Sequence, residues 1–359
     1  MSAHPSTPPW KAVLFRHETL LLLVLIVEWV FFYFGGTTTN FSGQTVGFGT
    51  AGAQIDILRH SCEIGLLALV MTPVILSGGI DLSVGSLMGL SAVVFGKLWR
   101  DAGLPIPAAI AATLALGALA GGLNATLITV LRLPPLIVTL GTFSLFRGLA
   151  EALTRGADTF TGFPAGFQSI GQDNWFGLPA QALIFAAVAI GIWLLVHRTT
   201  LGRSFRTIGY SPDGARYAGL PVARRLTTVY VLAGVGASLA GLVFTARLNQ
   251  AGANTGTGYE LFAITAVVLG GTSIFGGAGS VHGTLLGWAA VAVLSDSLPY
   301  VDWPREVGGM LTGLLLIVAL SAGVLPKFLS AWRARRHSAR PSNPQTSPPH
   351  EASSPPFPR

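Results

Sequence analysis

Long apolar stretches separated by short polar ones are the feature that most constrains how this chain folds. Ten of them lie between residues 20 and 325, and most approach the roughly 20 residues that a helix needs to cross a bilayer. Only 10% of the 359 residues are charged, against about 25% in a soluble domain. The sequence therefore predicts an all-α, polytopic membrane helix bundle of about ten transmembrane helices. The predicted spans are Leu20–Phe34, Ile57–Leu76, Leu82–Leu98, Pro107–Val130, Leu136–Leu153, Leu178–Val196, Leu226–Ala246, Leu261–Phe275, His282–Leu298 and Arg305–Leu325.

Basic residues fix the predicted orientation of these spans. Cytoplasmic loops of membrane proteins carry an excess of Lys and Arg. With a cytoplasmic N-terminal segment at 1–18, six crossings place the arginine-rich loop His197–Arg225 inside, and four more place the tail 327–359 inside. We therefore expect a multi-pass membrane protein with both termini cytoplasmic, a transmembrane domain at 19–326, and a basic, then Ser/Pro-rich, disordered tail.

Several functional classes are excluded by what the sequence lacks. The net charge of +7 follows membrane orientation and forms no stripe with aromatic residues, so nucleic-acid binding is not expected. The single cysteine, Cys62, excludes an intramolecular disulfide and a cysteine-based metal cluster. A G-x-G-x-x-G pattern at Gly47, Gly49 and Gly52 lacks the preceding strand and following helix of a dinucleotide site. The chain has no phosphate-binding G-x-x-x-x-G-K-[ST] motif and no H-E-x-x-H or G-x-S-x-G motif, so we expect no ATPase site, cofactor or metal in the chain itself.

Glycine pairs spaced four residues apart recur in the predicted spans. Such pairs allow helix backbones to approach closely in lipid, although membrane helices also tolerate glycine in general. The pairs and triplet are Gly85/Gly89, Gly117/Gly121, Gly279/Gly283/Gly287 and Gly309/Gly313.

The loop His197–Arg225 contains the signals of a short helix. Ser211 is a good N-cap, Pro212 suits the first turn, and Asp213 favours the positive end of the helix dipole. Gly219 can end the helix in the left-handed conformation. The loop is either a docking element for a soluble partner or an ordinary cytoplasmic loop.

A second informative stretch is Ser77–Gly89, where glycines and an acid interrupt apolar sequence. Gly78 and Gly79 predict a broken or re-entrant helix, and Asp81 is expected to cap the next helix by accepting from the amides of Ser83 and Val84. An ionised carboxylate at the bilayer centre is costly, so this motif is either a structural cap or a hinge that contacts ligand. Gly258–Leu261 repeats the pattern with Glu260, which hints at an internal duplication.

Polar residues within the spans are candidates for a substrate pathway, although interhelical hydrogen bonding explains each one equally well. Arg147 is four residues from Glu151 and is expected to pair with it. The candidates are Glu63, Asn124, Thr139, Thr142 and Arg147.

Four separated blocks resemble the permease subunits of ribose-type ABC importers, which include permeases for ribose, xylose, arabinose, rhamnose and the autoinducer-2 signal. The resemblance covers about residues 20–325. Within the loop, Asp213–Gly219 looks like the E-A-A-x-x-x-G coupling motif of ABC permeases; Asp replaces Glu and Gly replaces the first Ala, so Ala215 and Gly219 carry over. The blocks are Gly78–Ser86, Ile137–Gly148, Ile208–Val222 and Tyr259–Gly277.

The resemblance implies a permease that translocates a monosaccharide or related small sugar across the inner membrane. The implied partners are an ABC ATPase subunit that binds ATP, a periplasmic sugar-binding protein, a second permease copy or paralogue, and membrane lipid. The implied coupling residues are Ser211, Asp213, Ala215, Arg216, Tyr217, Ala218 and Gly219.

Two alternatives remain open from the sequence. The first is an ion-coupled secondary transporter, in which Asp81 and Glu63 would be the ion sites. The second is the permease of a branched-chain amino-acid ABC importer. Glu28 and Glu63 match no motif of the resembling family.

Overall fold

The computed structural model describes residues 17–39, 45–304 and 306–321. Within them the chain forms thirteen α-helices, one 3-10 turn and three short antiparallel strand pairs. The helices are α1 His17–Gly35, α2 Ala51–Leu76, α3 Ser83–Arg100, α4 Ile106–Thr129, α5 Pro135–Leu153, α6 Ala165–Gln172, α7 Ala180–Arg198, α8 Thr200–Tyr210, α9 Pro212–Tyr217, α10 Val222–Leu248, α11 Tyr259–Leu269, α12 Val281–Ser297 and α13 Glu306–Ser321, with the 3-10 turn at Leu298–Val301. The strand pairs are β1 Thr37–Thr39 with β2 Thr45–Gly47, β3 Phe160–Thr161 with β6 Gln250–Ala251, and β4 Asn174–Trp175 with β5 Leu178–Pro179.

The predicted membrane helix bundle is confirmed. Seven of the described helices are long and apolar enough to cross a membrane, and the remaining three predicted spans fall on α3, α11 and α13. Helix α11 has 11 residues and is about 16 Å long, roughly half of the hydrocarbon thickness. The predicted span Leu261–Phe275 is too long because Gly270 and Gly271, the latter at φ +86°, end the helix at Leu269.

Helices α2 and α10 form the centre of the bundle. They pack against each other, and α3, α4, α11 and α12 surround them. Helix α1 has only a small share of its surface buried within the chain. An apolar helix with an open apolar face is stable where lipid covers it.

Glycine contacts bring the central helices close together. A Cβ atom on Gly117 would lie 2.5 Å from the carbonyl oxygen of Gly234 in α10, and one on Gly121 would overlap the backbone of Tyr230. The close-approach interpretation is therefore confirmed for this pair. At Gly309 and Gly313 a Cβ atom would meet no atom of the described residues within 4 Å, so for this pair close approach to another helix stays a prediction.

The segment after α1 is more ordered than the sequence predicts. Strands β1 and β2 form a hairpin, and α2 begins at Ala51 rather than Ile57 because the Thr50 side chain accepts from the Ala53 amide. A strand and a helix therefore do flank the Gly47 pattern, contrary to expectation. The strand has three residues and belongs to an antiparallel pair, which is not the β-α-β setting of a dinucleotide site.

The described residues up to Ala319 belong to one compact unit. Most of the predicted terminal segments, 1–16 and 327–359, lies outside the described residues.

Candidate coupling face and polar clusters

The predicted short helix within His197–Arg225 is α9. The Ser211 hydroxyl accepts a 3.0 Å hydrogen bond from the Gly214 amide, and Pro212 occupies the first turn. Gly219 has φ +77°, so it ends the helix in the left-handed region that glycine favours. These local expectations are confirmed. Much of the remaining loop is also helical, because Thr199 caps α8 by accepting from the Leu201 amide at 3.1 Å.

The two sides of α9 differ in what they contact. Ala215 is fully buried and packs on Ile208 and Val222 of the same chain. Tyr210 and Tyr217 are 88% and 92% exposed. The prediction that a partner contacts Ala215 is therefore corrected, because its methyl group packs α9 against the rest of the chain. Tyr217 of α9 and Tyr210 at the end of α8 form the exposed surface.

Three glycines bring the last turn of α8 into contact with two helix breaks, one at 77–82 and one at 270–280. A Cβ atom on Gly276 would lie 2.8 Å from the Cα atoms of both Gly78 and Gly209, and the Gly277 amide donates a 2.9 Å bond to the Leu76 carbonyl. We call Gly78, Gly209 and Gly276 the glycine junction. The glycine junction connects the turn 77–82, the last turn of α8 and the loop 270–280. In the sequence, the last turn of α8 directly precedes Ser211, which caps α9.

The predicted helix break is present and follows the end of a long helix. Helix α2 has 26 residues and is about 39 Å long, more than the roughly 30 Å of the hydrocarbon core. Gly78, at φ +83°, follows the end of this helix and contacts the arginine-rich loop. The motif is therefore at the face of the bundle that carries α8 and α9, which we call the coupling face.

Asp81 and two of the pathway candidates hold this turn together. The Asp81 Oδ1 atom accepts from the Ser83 amide at 2.9 Å and from the Ser83 hydroxyl at 2.6 Å. Among the hydrogen bonds of the described residues, the one predicted from Val84 does not occur. Asn124 donates to the Ser83 hydroxyl at 2.9 Å and Thr139 donates to the Ile80 carbonyl at 3.0 Å, so α4 and α5 both anchor the turn.

Thr142, another pathway candidate, is buried and donates to the Val138 carbonyl of its own helix at 3.2 Å. The structure therefore shows an intrahelical bond for this hydroxyl.

Arg147 lies in a separate cluster. Its guanidinium donates to the carbonyls of Ala253 and Thr255, and the predicted pair with Glu151 is absent from the ion pairs of the described residues. The carboxylate of Glu260 is buried against Gly85, where a Cβ atom would overlap it. Glu260 thus lies in the first turn of α11, as predicted. The bonds from Arg147 fix the loop between α10 and α11.

Glu63 belongs to a third cluster. Its Oε1 atom accepts a 2.7 Å bond from Arg247 Nε, and the two side chains are 0% and 11% exposed. Arg247 was not among the predicted site residues, because its partner Glu63 lies 184 residues away in the sequence. An arginine at the end of an otherwise apolar span was the only available signal. Glu63, Arg147 and the pair of Asn124 and Thr139 thus have different hydrogen-bond partners, and Thr142 bonds within its own helix.

Comparison with known proteins identifies the class to which this arrangement belongs. A family model described as "Branched-chain amino acid transport system / permease component" matches residues 53–320. The chain belongs to this permease family. It is 39% identical over 310 residues to the "Autoinducer 2 import system permease protein LsrD" of Yersinia pseudotuberculosis serotype O:1b (strain IP 31758). The aligned region covers 82% of this chain and 93% of the relative. The corresponding protein of Yersinia pestis (strain Pestoides F) gives the same figures. No solved structure gives a significant match.

These relatives confirm the assignment to the permeases of ribose-type ABC importers. The chain is a multi-pass inner-membrane transport component, and permeases of this class work with an ATPase and a binding protein.

Proposed function

We propose that this permease translocates a monosaccharide or a related small sugar across the inner membrane, driven by ATP hydrolysis in a separate subunit. The observation that carries the proposal is α9, a capped helix that exposes Tyr217, with the exposed Tyr210 at the end of α8 beside it, on a chain of the permease family. The 39% identical relatives, named for autoinducer-2 import, support a small sugar-like substrate.

The ATPase subunit is proposed to dock on α9 through Tyr210 and Tyr217. Large exposed aromatic side chains are common energetic centres of protein interfaces. ATP binds to that partner, and the permease needs no cofactor of its own. A second permease copy or paralogue and a periplasmic sugar-binding protein complete the importer.

The orientation follows from this docking. Because the ATPase is cytoplasmic, His197–Arg225 and both termini are proposed to be cytoplasmic, as the arginine distribution also favours. Reporter fusions at Gln168 and Ser211 test this, with a periplasmic reporter expected to be active only at Gln168. Periplasmic activity at Ser211 would reverse the topology.

Replacing both exposed tyrosines tests the docking surface. We expect Tyr210→Ala/Tyr217→Ala to remain at normal levels in the membrane, because changes at exposed positions usually alter stability by about 0.5 kcal/mol or less. Copurifying ATPase and sugar uptake should be lost together. Phe176→Ala is the matched control, since Phe176 is 98% exposed on the β4–β5 turn. Normal copurification and uptake in the double variant would overturn the proposed docking site.

The branched-chain amino-acid permease stays a second candidate because the matching family model carries that description. Uptake of labelled leucine compared with labelled sugars distinguishes the two. An ion-coupled transporter is disfavoured, because Asp81 is held by Ser83 and Glu63 by Arg247.

A further inference from the structure

A cavity of about 200 Å³ lies beside the buried Glu63–Arg247 pair and on the far side of the bundle from α9. Parts of α2, α10, α11 and α12 form its walls. A cavity of roughly 150 Å³ accommodates a benzene-sized ring, so this one has room for a single five- or six-membered ring. The lining residues used below are Ser61, Arg247, Tyr259, Trp288, Ser295 and Asp296.

The aromatic side of the cavity is built around Trp288. The indole Nε1 donates a 2.8 Å bond to the Ser61 carbonyl, and the ring packs against Phe185 with 4.4 Å between centroids. These contacts fix the plane of the indole, and the phenol of Tyr259 lies in the same lining. Rigid aromatic faces combined with a few polar groups are typical of small-molecule sites.

The polar side offers hydrogen bonds without an unmatched positive charge. The basic residues among the described lining residues are Arg247 and His60, and Glu63 already neutralises Arg247 at 2.7 Å. Asp296, which also interacts electrostatically with Arg247, and the Ser295 hydroxyl supply further hydrogen-bonding groups. The Ser295 oxygen is buried and makes no hydrogen bond to the described residues.

This charge balance discriminates between the candidate ligands. A zwitterionic amino acid needs a cation for its carboxylate as well as an anion for its ammonium group, since a buried unpaired charge is costly. Here the cation already has its counter-ion. A neutral sugar needs only donors, acceptors and a flat surface for its C–H face, all of which line the cavity.

We propose that this cavity, bounded by Arg247, Trp288 and Asp296, is a site at which the permease holds one uncharged sugar ring during transport. The proposal rests on the proposed function and adds where the sugar binds and why an amino acid does not. It places Trp288 as the stacking surface and Asp296 with Ser295 as hydroxyl partners.

Direct binding to the purified permease–ATPase complex, without the binding protein, tests the site. Labelled D-ribose, L-rhamnose and L-leucine are the ligands, at concentrations up to the millimolar range. We expect one of the sugars to bind and leucine not to bind. Trp288→Ala should weaken sugar binding by about tenfold or more, and Trp288→Phe should retain most of the affinity because it keeps a flat aromatic surface.

Two further variants separate a local effect from a general one. Trp193→Ala is the matched control, because Trp193 also donates an indole hydrogen bond, to His282 at 2.8 Å, but does not line the cavity. It should bind sugar normally. Asp296→Asn should also retain sugar binding, because a neutral ligand needs a hydrogen-bonding group here and not a charge.

The outcomes that contradict the proposal are distinct from failure of the proposed function. Accumulation of a sugar by the complete importer, with no binding to the permease–ATPase complex, would remove the site and leave the function. Equal losses in Trp288→Ala and Trp193→Ala would also remove it. Leucine binding that Asp296→Asn abolishes would indicate an amino-acid site, and absence of sugar uptake by the complete importer would overturn the function as well.

Discussion

The glycine junction gives the sharpest test of how the helix breaks are held against α8. Gly276→Ala adds one methyl group at φ +84°, where an L-residue pays about 1–2 kcal/mol for the left-handed conformation. That methyl carbon would lie 2.8 Å from the backbone of Gly78 and Gly209, so the segments must separate by about 0.6 Å to reach the 3.4 Å of ordinary contact. Overpacking of this kind typically costs about 1–3 kcal/mol.

Gly103→Ala isolates the conformational part of this cost. Gly103 has φ +66°, and a Cβ atom there meets nothing within 4 Å. It should therefore lose about 1–2 kcal/mol, against about 2–5 kcal/mol for Gly276→Ala.

Thermal unfolding of the detergent-purified permease, measured at one heating rate because such unfolding is commonly irreversible, compares the two variants. Gly276→Ala should unfold at the lower temperature and show reduced uptake, while ATPase still copurifies because the exposed side of α9 is unchanged. Equal unfolding temperatures for the two variants would show that the close backbone contact at Gly276 does not contribute to stability, and the reasoning would be refuted.

Three further predictions, each comparing two variants, test other contacts. Asp81→Asn should keep more uptake than Asp81→Ala, because the amide oxygen still accepts from Ser83 and loss of a cap costs about 1 kcal/mol; equal uptake in the two variants would contradict the capping role. Arg247→Met should destabilise the permease by about 3–5 kcal/mol by leaving a buried carboxylate unpaired, and adding Glu63→Gln should recover much of the loss; a double variant as unstable as the single one would show that the pair is not the cause. Gly309→Ala should change stability by about 0.5 kcal/mol or less, whereas Gly121→Ala should be clearly destabilising because its methyl group meets backbone; similar effects in both would contradict the packing account.

Features encoded within a few residues were predictable from the sequence. Each predicted span coincides with a described helix over most of its length, because the bilayer requires backbone hydrogen bonds to be satisfied within the segment. The Ser211 cap and the Gly219 stop were also correct, since both depend on bonds between residues at most three positions apart.

Features that depend on distant segments were not predictable in the same way. Arg147 was assigned to its helical neighbour Glu151, yet it bonds carbonyls more than 100 residues away. The prediction that Ala215 faces a partner was also wrong, because Ala215 faces the rest of the permease. A six-residue helix is too short for hydrophobic periodicity to define its buried face, and the burial comes from Ile208 and Val222 on neighbouring elements.

The placement of the cavity relative to the glycine junction suggests how coupling reaches the substrate. Helix α2 carries Ser61 in the cavity wall and ends at Leu76, whose carbonyl bonds Gly277. The loop 270–280 joins α11, which carries Tyr259, to α12, which carries Trp288. From Ser61 to Leu76 is about 22 Å of helix, and close-packed protein interiors transmit strain. With a sugar in the cavity as proposed, a movement of α8 against the junction would reach it through the ends of α2, α11 and α12, and the backbone contacts between the glycines would carry that movement.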